Sequence, residues 1–227
     1  MFEIPSNLKI ITMKKALLIS GLLLIFSCKK ENEQKTVDNS SSSDSLNLKS
    51  NVDSLNTKNA LNSVDGIKKE YNLLNSKLLA KKLDSVSFKY ECEERLGNVV
   101  YYSENGTLKV IKHFTADSHF SSTENYFIND NQPFFVFKDD TVWSFDGGTP
   151  EKPQTKDDVT QQRMYFSDDK IIQCLEKKFI IKSSSATKPN PENIPNIESK
   201  NCSANEVQET FALLLKNKDK KGSIKCL

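Results

Sequence analysis

Histidine is nearly absent from this chain, with His113 and His119 the only two among 227 residues. Neither lies near a cysteine in the sequence, and there is no C-x-x-C pair, so the familiar zinc ligand sets have no foothold. Glycine is sparse too, at seven residues. No phosphate-cradling loop, dinucleotide fingerprint, G-x-S-x-G elbow or H-E-x-x-H pair occurs, which removes the motif-bearing nucleotide-binding, esterase and metalloprotease readings. Charge of one sign is also missing. The chain has 32 Lys+Arg against 30 Asp+Glu, and beyond residue 27 it carries 29 of each. A balanced chain lacks the basic footprint of a nucleic-acid partner. Finally, no apolar run reaches the ~20 residues that a membrane-spanning helix needs.

What is present begins with the longest apolar run, Ala16 to Phe26, broken only by Ser20 and Gly21. Met13-Lys14-Lys15 precedes it and Ser27-Cys28 ends it, the layout of an export signal. Ile25-Phe26-Ser27-Cys28 resembles the lipobox of bacterial lipoproteins, departing from it at Phe26. The resemblance implies a thioether lipid on Cys28, cleavage before it and acylation, with palmitate among the acyl chains, of the new terminus. Several acyl chains hold a protein at a bilayer where one is marginal, at ~0.8 kcal/mol per buried methylene. An ordinary secretory signal cleaved near Ser27 is the plainer alternative. Met1 to Thr12, with Glu3 and Pro5, fit a signal poorly, so translation is expected to begin at Met13. The expected organisation is a signal over 1–27, a lipidated tether over 28–62 and one globular α+β domain over 63–227.

In the tether, eleven of the twenty residues from Val37 to Asn56 are Ser or Asn. Such a segment has little apolar surface to bury and is expected to stay disordered, as a flexible tether. Lys30-Glu31 with Glu33 is similar to the acidic export tag of surface lipoproteins in Bacteroidota. Asp44-Ser45-Leu46 and Asp53-Ser54-Leu55 match that group's O-glycosylation pattern, which implies glycans on Ser45 and Ser54.

Ile67, Tyr71, Leu74 and Leu78 recur at helical spacing and predict an amphipathic helix over 64–83. Three segments then repeat one plan: YYSENGTLKVI from Tyr101, YFINDNQPFFVF from Tyr126 and YFSDDKIIQCL from Tyr165. Each is an aromatic pair, a short Asn/Asp turn and an apolar run, the chemistry of a β-hairpin. Adjacent strand residues face opposite ways, so each aromatic pair is expected to pack in two layers rather than form a ligand platform. The expected fold is α+β: an antiparallel β-meander of about 6–8 strands with an N-terminal helix and a short C-terminal helix. Gly147 to Thr160, with the sequence GGTPEKPQTKDD, and the proline-rich 183–201 read as loops. Ser203 and Glu206 form an S-x-x-E capping box, and Val207, Phe211, Leu214 and Leu215 predict the last helix, to about Asn217.

Four cysteines follow Cys28, namely Cys92, Cys174, Cys202 and Cys226. An even number in an exported chain points to disulfides, with three pairings open. Cys174, inside an apolar strand, also reads as a buried free thiol. Asp139, Asp140 and Asp146 around Trp143 suggest calcium or a glycosidase pair, but no EF-hand loop matches and turns favour Asp. Asp139 and Asp146 remain as the candidate carboxylates of a rival hydrolase reading. No cofactor, metal site or catalytic set is expected.

The lipobox, the tether, and the stretches Ile67 to Tyr102, Tyr126 to Phe137 and Arg163 to Lys178 resemble small lipoproteins of Bacteroidota. This implies an outer-membrane lipoprotein, facing the periplasm or the cell surface, and supplies no activity. The anchor, the long tether and the lack of catalytic motifs lead to the expectation of a non-enzymatic module that binds an envelope protein or glycan. Tyr90-Glu91-Cys92 before a β-rich body ending in Cys226 is similar to small periplasmic lysozyme inhibitors. That resemblance implies a bond from Cys92 to the cysteine near the end.

Overall fold

Three two-residue turns organise the sheet. In the computed structural model, which describes residues 61–227, Asn105-Gly106, Asp130-Asn131 and Asp168-Asp169 all have positive φ, from 46° to 76°. Two successive left-handed residues match the twist of antiparallel strands, and Asn, Asp and Gly tolerate that region best. The turns join β2 (Arg95–Glu104) to β3 (Thr107–Asp117), β4 (Phe120–Asn129) to β5 (Gln132–Thr149), and β6 (Lys152–Ser167) to β7 (Lys170–Lys182). They are the three repeats of the sequence.

Each hairpin also slips register at the same place, between Tyr102/Ser103, Phe127/Ile128 and Tyr165/Phe166. The returning strand carries one unpaired residue there: Lys109, Phe134 and Ile172. Such a bulge re-aims the side chains beside it. Here it lets both Phe134 and Phe135 enter the same buried cluster.

With β1 (Asp84–Cys92), β8 (Ile197–Glu198) and β9 (Gly222–Ile224), the strands form one nine-stranded sheet in the order β8-β7-β6-β5-β4-β3-β2-β1-β9. The α+β class therefore holds, but the expected purely antiparallel sheet of 6–8 strands needs correction. β9 runs parallel to β1, pairing Phe88 to Tyr90 with Gly222 to Ile224. A three-residue return from a helix on one face can reach the sheet edge in either direction, and periodicity cannot see which.

One helix covers each face. α1 (Val64–Leu79) is capped by Ser63, whose Oγ accepts from the Gly66 N–H at 3.2 Å. It ends before the expected Leu83 because Lys81 turns left-handed, at φ 54°. Lys82 N then donates to Lys77 O and Lys81 N to Leu78 O, closing a Schellman end. α1 buries Ile67 and Leu74, and its Tyr71 meets Phe127 and Phe135 edge-on, both at 4.8 Å. α2 (Ala204–Lys216) covers the opposite face with Val207, Phe211 and Leu214. Tyr101, on the α2 face, donates to Leu214 O, while its neighbour Tyr102 packs on the α1 side, as strand alternation requires.

The expected loop over 147–160 is instead the tip of a long ribbon. β5 and β6 stay paired to Thr149–Lys152, leaving Pro150-Glu151 as the turn. Gly147 and Gly148 adopt positive φ beside a register slip, and the ribbon's outer pairs accept Pro153. Composition suggested a loop because such ribbon tips use the same residues. Two disulfides join Cys92 to Cys226 and Cys174 to Cys202. Cys174 is therefore bonded rather than a free thiol. The signal segment, Cys28, Ser45 and Ser54 lie outside the described residues, as does the tether up to residue 60. Among the described residues, no helix is long and apolar enough to cross a membrane.

Candidate functional site

On the α2 face, one cross-strand row changes character. The row Tyr101–Ile111–Tyr126–Val136–Met164–Cys174 is core. Two residues further along each strand, the same face reads Val99–His113–Glu124–Lys138–Gln162–Glu176. Five polar side chains thus lie where the pattern demands apolar ones. His113, Glu124 and Glu176 are all buried, at 6–7 % exposure.

Gln162 and Glu176 bond to each other at 3.0 Å, while His113, Glu124 and Lys138 form a connected network with Tyr90, Tyr126 and Glu206. Glu124 can only accept, so His113 Nδ1 carries the proton and donates to Glu124 Oε2 at 3.2 Å. That leaves Nε2 to accept from the Tyr90 hydroxyl at 2.8 Å. The Tyr126 hydroxyl also donates to Glu124 Oε2, at 2.9 Å. Lys138 Nζ lies 2.8 Å from Glu206, 3.5 Å from Asp140 and 3.9 Å from Glu124. Glu206 comes from the first turn of α2, so the network bridges sheet and helix. The capping box is consequently only half made: Ser203 Oγ accepts from Glu206 N at 3.2 Å, but the Glu206 carboxylate goes to Lys138.

Burial pushes the Glu124 carboxyl up, yet the hydrogen bonds from His113 and the Tyr126 hydroxyl, with the charge of Lys138, together hold it below its ordinary value. Burial pulls the Lys138 ammonium down, and Glu206, Asp140 and Glu124 outweigh it, leaving the ammonium raised. The Glu124 carboxylate and the Lys138 ammonium therefore stay charged at neutral pH. Burial raises the Tyr90 and Tyr126 hydroxyls, so both keep their protons. A Tyr–His–Glu chain whose phenol holds its proton more tightly than usual is a brace, not an activated nucleophile. Gly97 makes room for it: a Cβ there would overlap the Tyr90 ring.

The network floors a cleft of about 920 Å³. Its walls are α2 (Glu206, Thr210, Leu213), the β1–β2 turn (Glu93, Glu94), the β3–β4 turn (Ser118, with Phe120) and Leu227. A second, smaller crevice of about 330 Å³ lies between α1 and the sheet, bounded by Lys68, Tyr71, Phe135, Phe137, Arg163 and Tyr165. There Arg163 sits 4.9 Å over the Phe137 ring and donates to Asn196 at 2.9 Å.

The carboxylates singled out in the sequence do not come together. Asp139 and Asp146 lie seven residues apart on one extended strand, roughly 23 Å at ~3.3 Å per residue. Paired glycosidase carboxylates sit within about 10 Å. Asp139 accepts from Gln161 at 2.8 Å on the α1 face, and Asp146 pairs with Lys182 at 2.8 Å. His119 stacks on Trp143 at 4.2 Å, and Trp143 Nε1 donates to Ser118 O. Of the four cysteines, Cys92 lines the cleft through its bond to Cys226. Among the described residues, no three His, Cys, Asp or Glu side chains converge to hold a metal ion.

Sequence reasoning did not single out Tyr90, His113, Glu124, Tyr126, Lys138 and Glu206 as a unit. The signal available was the β3–β4 turn. Once Ser118-His119 is taken as a two-residue connection, His113 falls opposite Glu124 by counting. Compared with protein-family models, curated proteins and solved structures, the chain matches none.

Proposed function

We propose that this chain is a lipid-anchored envelope protein that binds a partner or ligand, without catalysis, in the cleft beside α2. The observation that carries the binding reading is the buried polar row at the cleft floor. Replacing a buried ionic network by apolar residues is often neutral or stabilising, so stability alone gives no reason to keep it. A preformed cleft with a few fixed polar groups on a rigid sheet is the usual form of a recognition site. The two disulfides favour an exported, oxidising location. The anchor rests on the lipobox and Cys28.

Two experiments on the full chain in cells test the two halves. Radiolabelled palmitate should enter the parent protein and not Cys28→Ser; equal labelling overturns the anchor. A photocrosslinking residue at Thr210 in the cleft should give a discrete adduct that one at Lys69 on α1 does not. Adducts at both positions, or at neither, overturn the cleft.

One observation favours a narrower version. Cys92, in a Tyr-x-Cys strand, is bonded to Cys226 near the end, as the resemblance to periplasmic lysozyme inhibitors implies. On that version the full chain in detergent slows lysozyme at stoichiometric amounts. Unchanged lysis removes it and leaves the broader reading in place.

A further inference from the structure

The cleft's charge is lopsided. Its lining carries five carboxylates, Glu93, Glu94, Asp117, Glu124 and Glu206, against Arg95 and Lys138. The chain as a whole is formally +2. Lys138 already engages Glu124 and Glu206, and Arg95 lies 3.8 Å from Asp117. Among the described residues, Glu93 and Glu94 have no ion-pair partner. With no metal-type convergence of ligands there, the negative charge is spread along a rim, which suits an organic cation better than a compact ion.

A second, independent feature lies below that rim. Ser122 is 5 % exposed and lines the cleft, yet its Oγ has no hydrogen-bond partner among the described residues. Asp140 Oδ1, also buried, has none either. The two residues are directly opposite one another across β4 and β5, on the α2 face, one row beyond Glu124 and Lys138. Buried oxygens without donors are costly, so a ligand that brings N–H donors to this row regains what they lose. Phe120 and Leu213 add apolar surface to the same cleft. The fold also supplies its own example of the chemistry, because Lys138 is an ammonium held on this face by Glu206, Asp140 and Glu124.

We propose that the cleft recognises a primary ammonium on an aliphatic stem. The ammonium donates to Ser122 Oγ, the stem lies against Phe120 and Leu213, and Glu93 and Glu94 supply the field that draws the cation in. This inference rests on the cleft being a binding site and names what it takes. A free diamine and a lysine side chain of a peptide carry the same group.

Titration calorimetry on the full chain in detergent, with both disulfides formed, tests it. The probes are hexane-1,6-diamine, an acetylated Gly-Lys-Gly peptide, hexane-1,6-diol and chitotetraose. At least one amine probe should bind and the diol should not; the tighter amine identifies the source. Glu93→Gln with Glu94→Gln should weaken that binding about fivefold. Ser122→Ala should weaken it at an unchanged or raised melting temperature, since it removes an unpaired buried oxygen, and 0.5 M salt should weaken it further. Binding of the diol or tetrasaccharide but neither amine overturns the ammonium and leaves the cleft as a site. Amine binding indifferent to salt and to all three substitutions overturns it as well. If no probe binds, the ammonium assignment falls, and the Thr210 crosslink separately decides whether the cleft binds anything.

Discussion

The two faces of the one sheet are closed in different ways. Under α1 the row Val110–Phe127–Phe135–Tyr165 is apolar or aromatic throughout, and Tyr71 locks onto it edge-first. Among the described residues, α1 has no covalent tie. Under α2 half the contact is core and half is the charged network, and there the chain adds bonds. Cys174–Cys202 fastens the segment just before α2, and Cys92–Cys226 fastens the tail just after it. The helix that overlies the polar cleft is bracketed by disulfides. Cross-links here stand in for the apolar burial that the cleft gives up.

The largest break in this comparison is covalent. Cys92→Ser opens a 134-residue separation and Cys174→Ser one of 28. Chain entropy puts the losses at about 5 and about 3.5 kcal/mol. Urea unfolding measures both, and the Cys92 change should also loosen the cleft wall and reduce the Thr210 crosslink.

Next comes the aromatic face. Phe135→Ala should cost about 3–5 kcal/mol, since it leaves Tyr71 and Tyr165 facing a cavity. At temperatures where the variant stays folded, the Thr210 crosslink should survive. Glu124→Gln is the converse: a smaller loss of about 1–3 kcal/mol, with the crosslink strongly reduced. Gly97→Ala should cost about 1–3 kcal/mol by displacing the Tyr90 ring from His113. In NMR spectra, the His113 ring signals should then shift more than those of Phe135.

The smallest effect is in the pH profile. The folded pKa of Glu124 is depressed, so its contribution is present above the unfolded value of ~4.3 and is lost as pH falls through the folded one. Lys138 is raised, so its contribution is present below ~10.4 and is lost as pH rises past the folded value. Between these limits the contributions of Glu124 and Lys138 are both fully present. Glu124→Gln should flatten the acid limb, which denaturation at stepped pH would detect. Burial raises Asp139 despite its bond from Gln161, so its charge works against stability once ionised. Asp139→Asn should therefore leave neutral-pH stability equal or slightly higher.

Local chemistry made much of this architecture readable. Asn-Gly and Asp/Asn pairs announce the three turns because few other residues accept left-handed φ twice running. The α1 and α2 stripes follow from helical spacing, and Ser63 and Ser203 cap them. What stayed hidden depends on distant pairing. Whether β9 runs parallel, and which cysteines join, is decided by where the chain returns in space. Gly147 to Thr160 misled because turn-forming residues also serve at the tip of a twisted ribbon. The cleft was hidden for a different reason. His113, Glu124 and Lys138 each look like an ordinary polar residue in an alternating strand, and only the register of three strands places them side by side. Glu206 read as a cap because its spacing from Ser203 is right, while the pull of Lys138 across the cleft is invisible in the sequence.

The central claim is that the polar row exists for recognition and not for stability. Urea unfolding of a variant with the five sheet residues of the network made apolar, Tyr90→Phe, His113→Leu, Glu124→Leu, Tyr126→Phe and Lys138→Met, tests it most directly. The account predicts a stability equal to or above the parent's at an unchanged slope. A loss of several kcal/mol at the same slope would show that the network holds the fold together, and would contradict it.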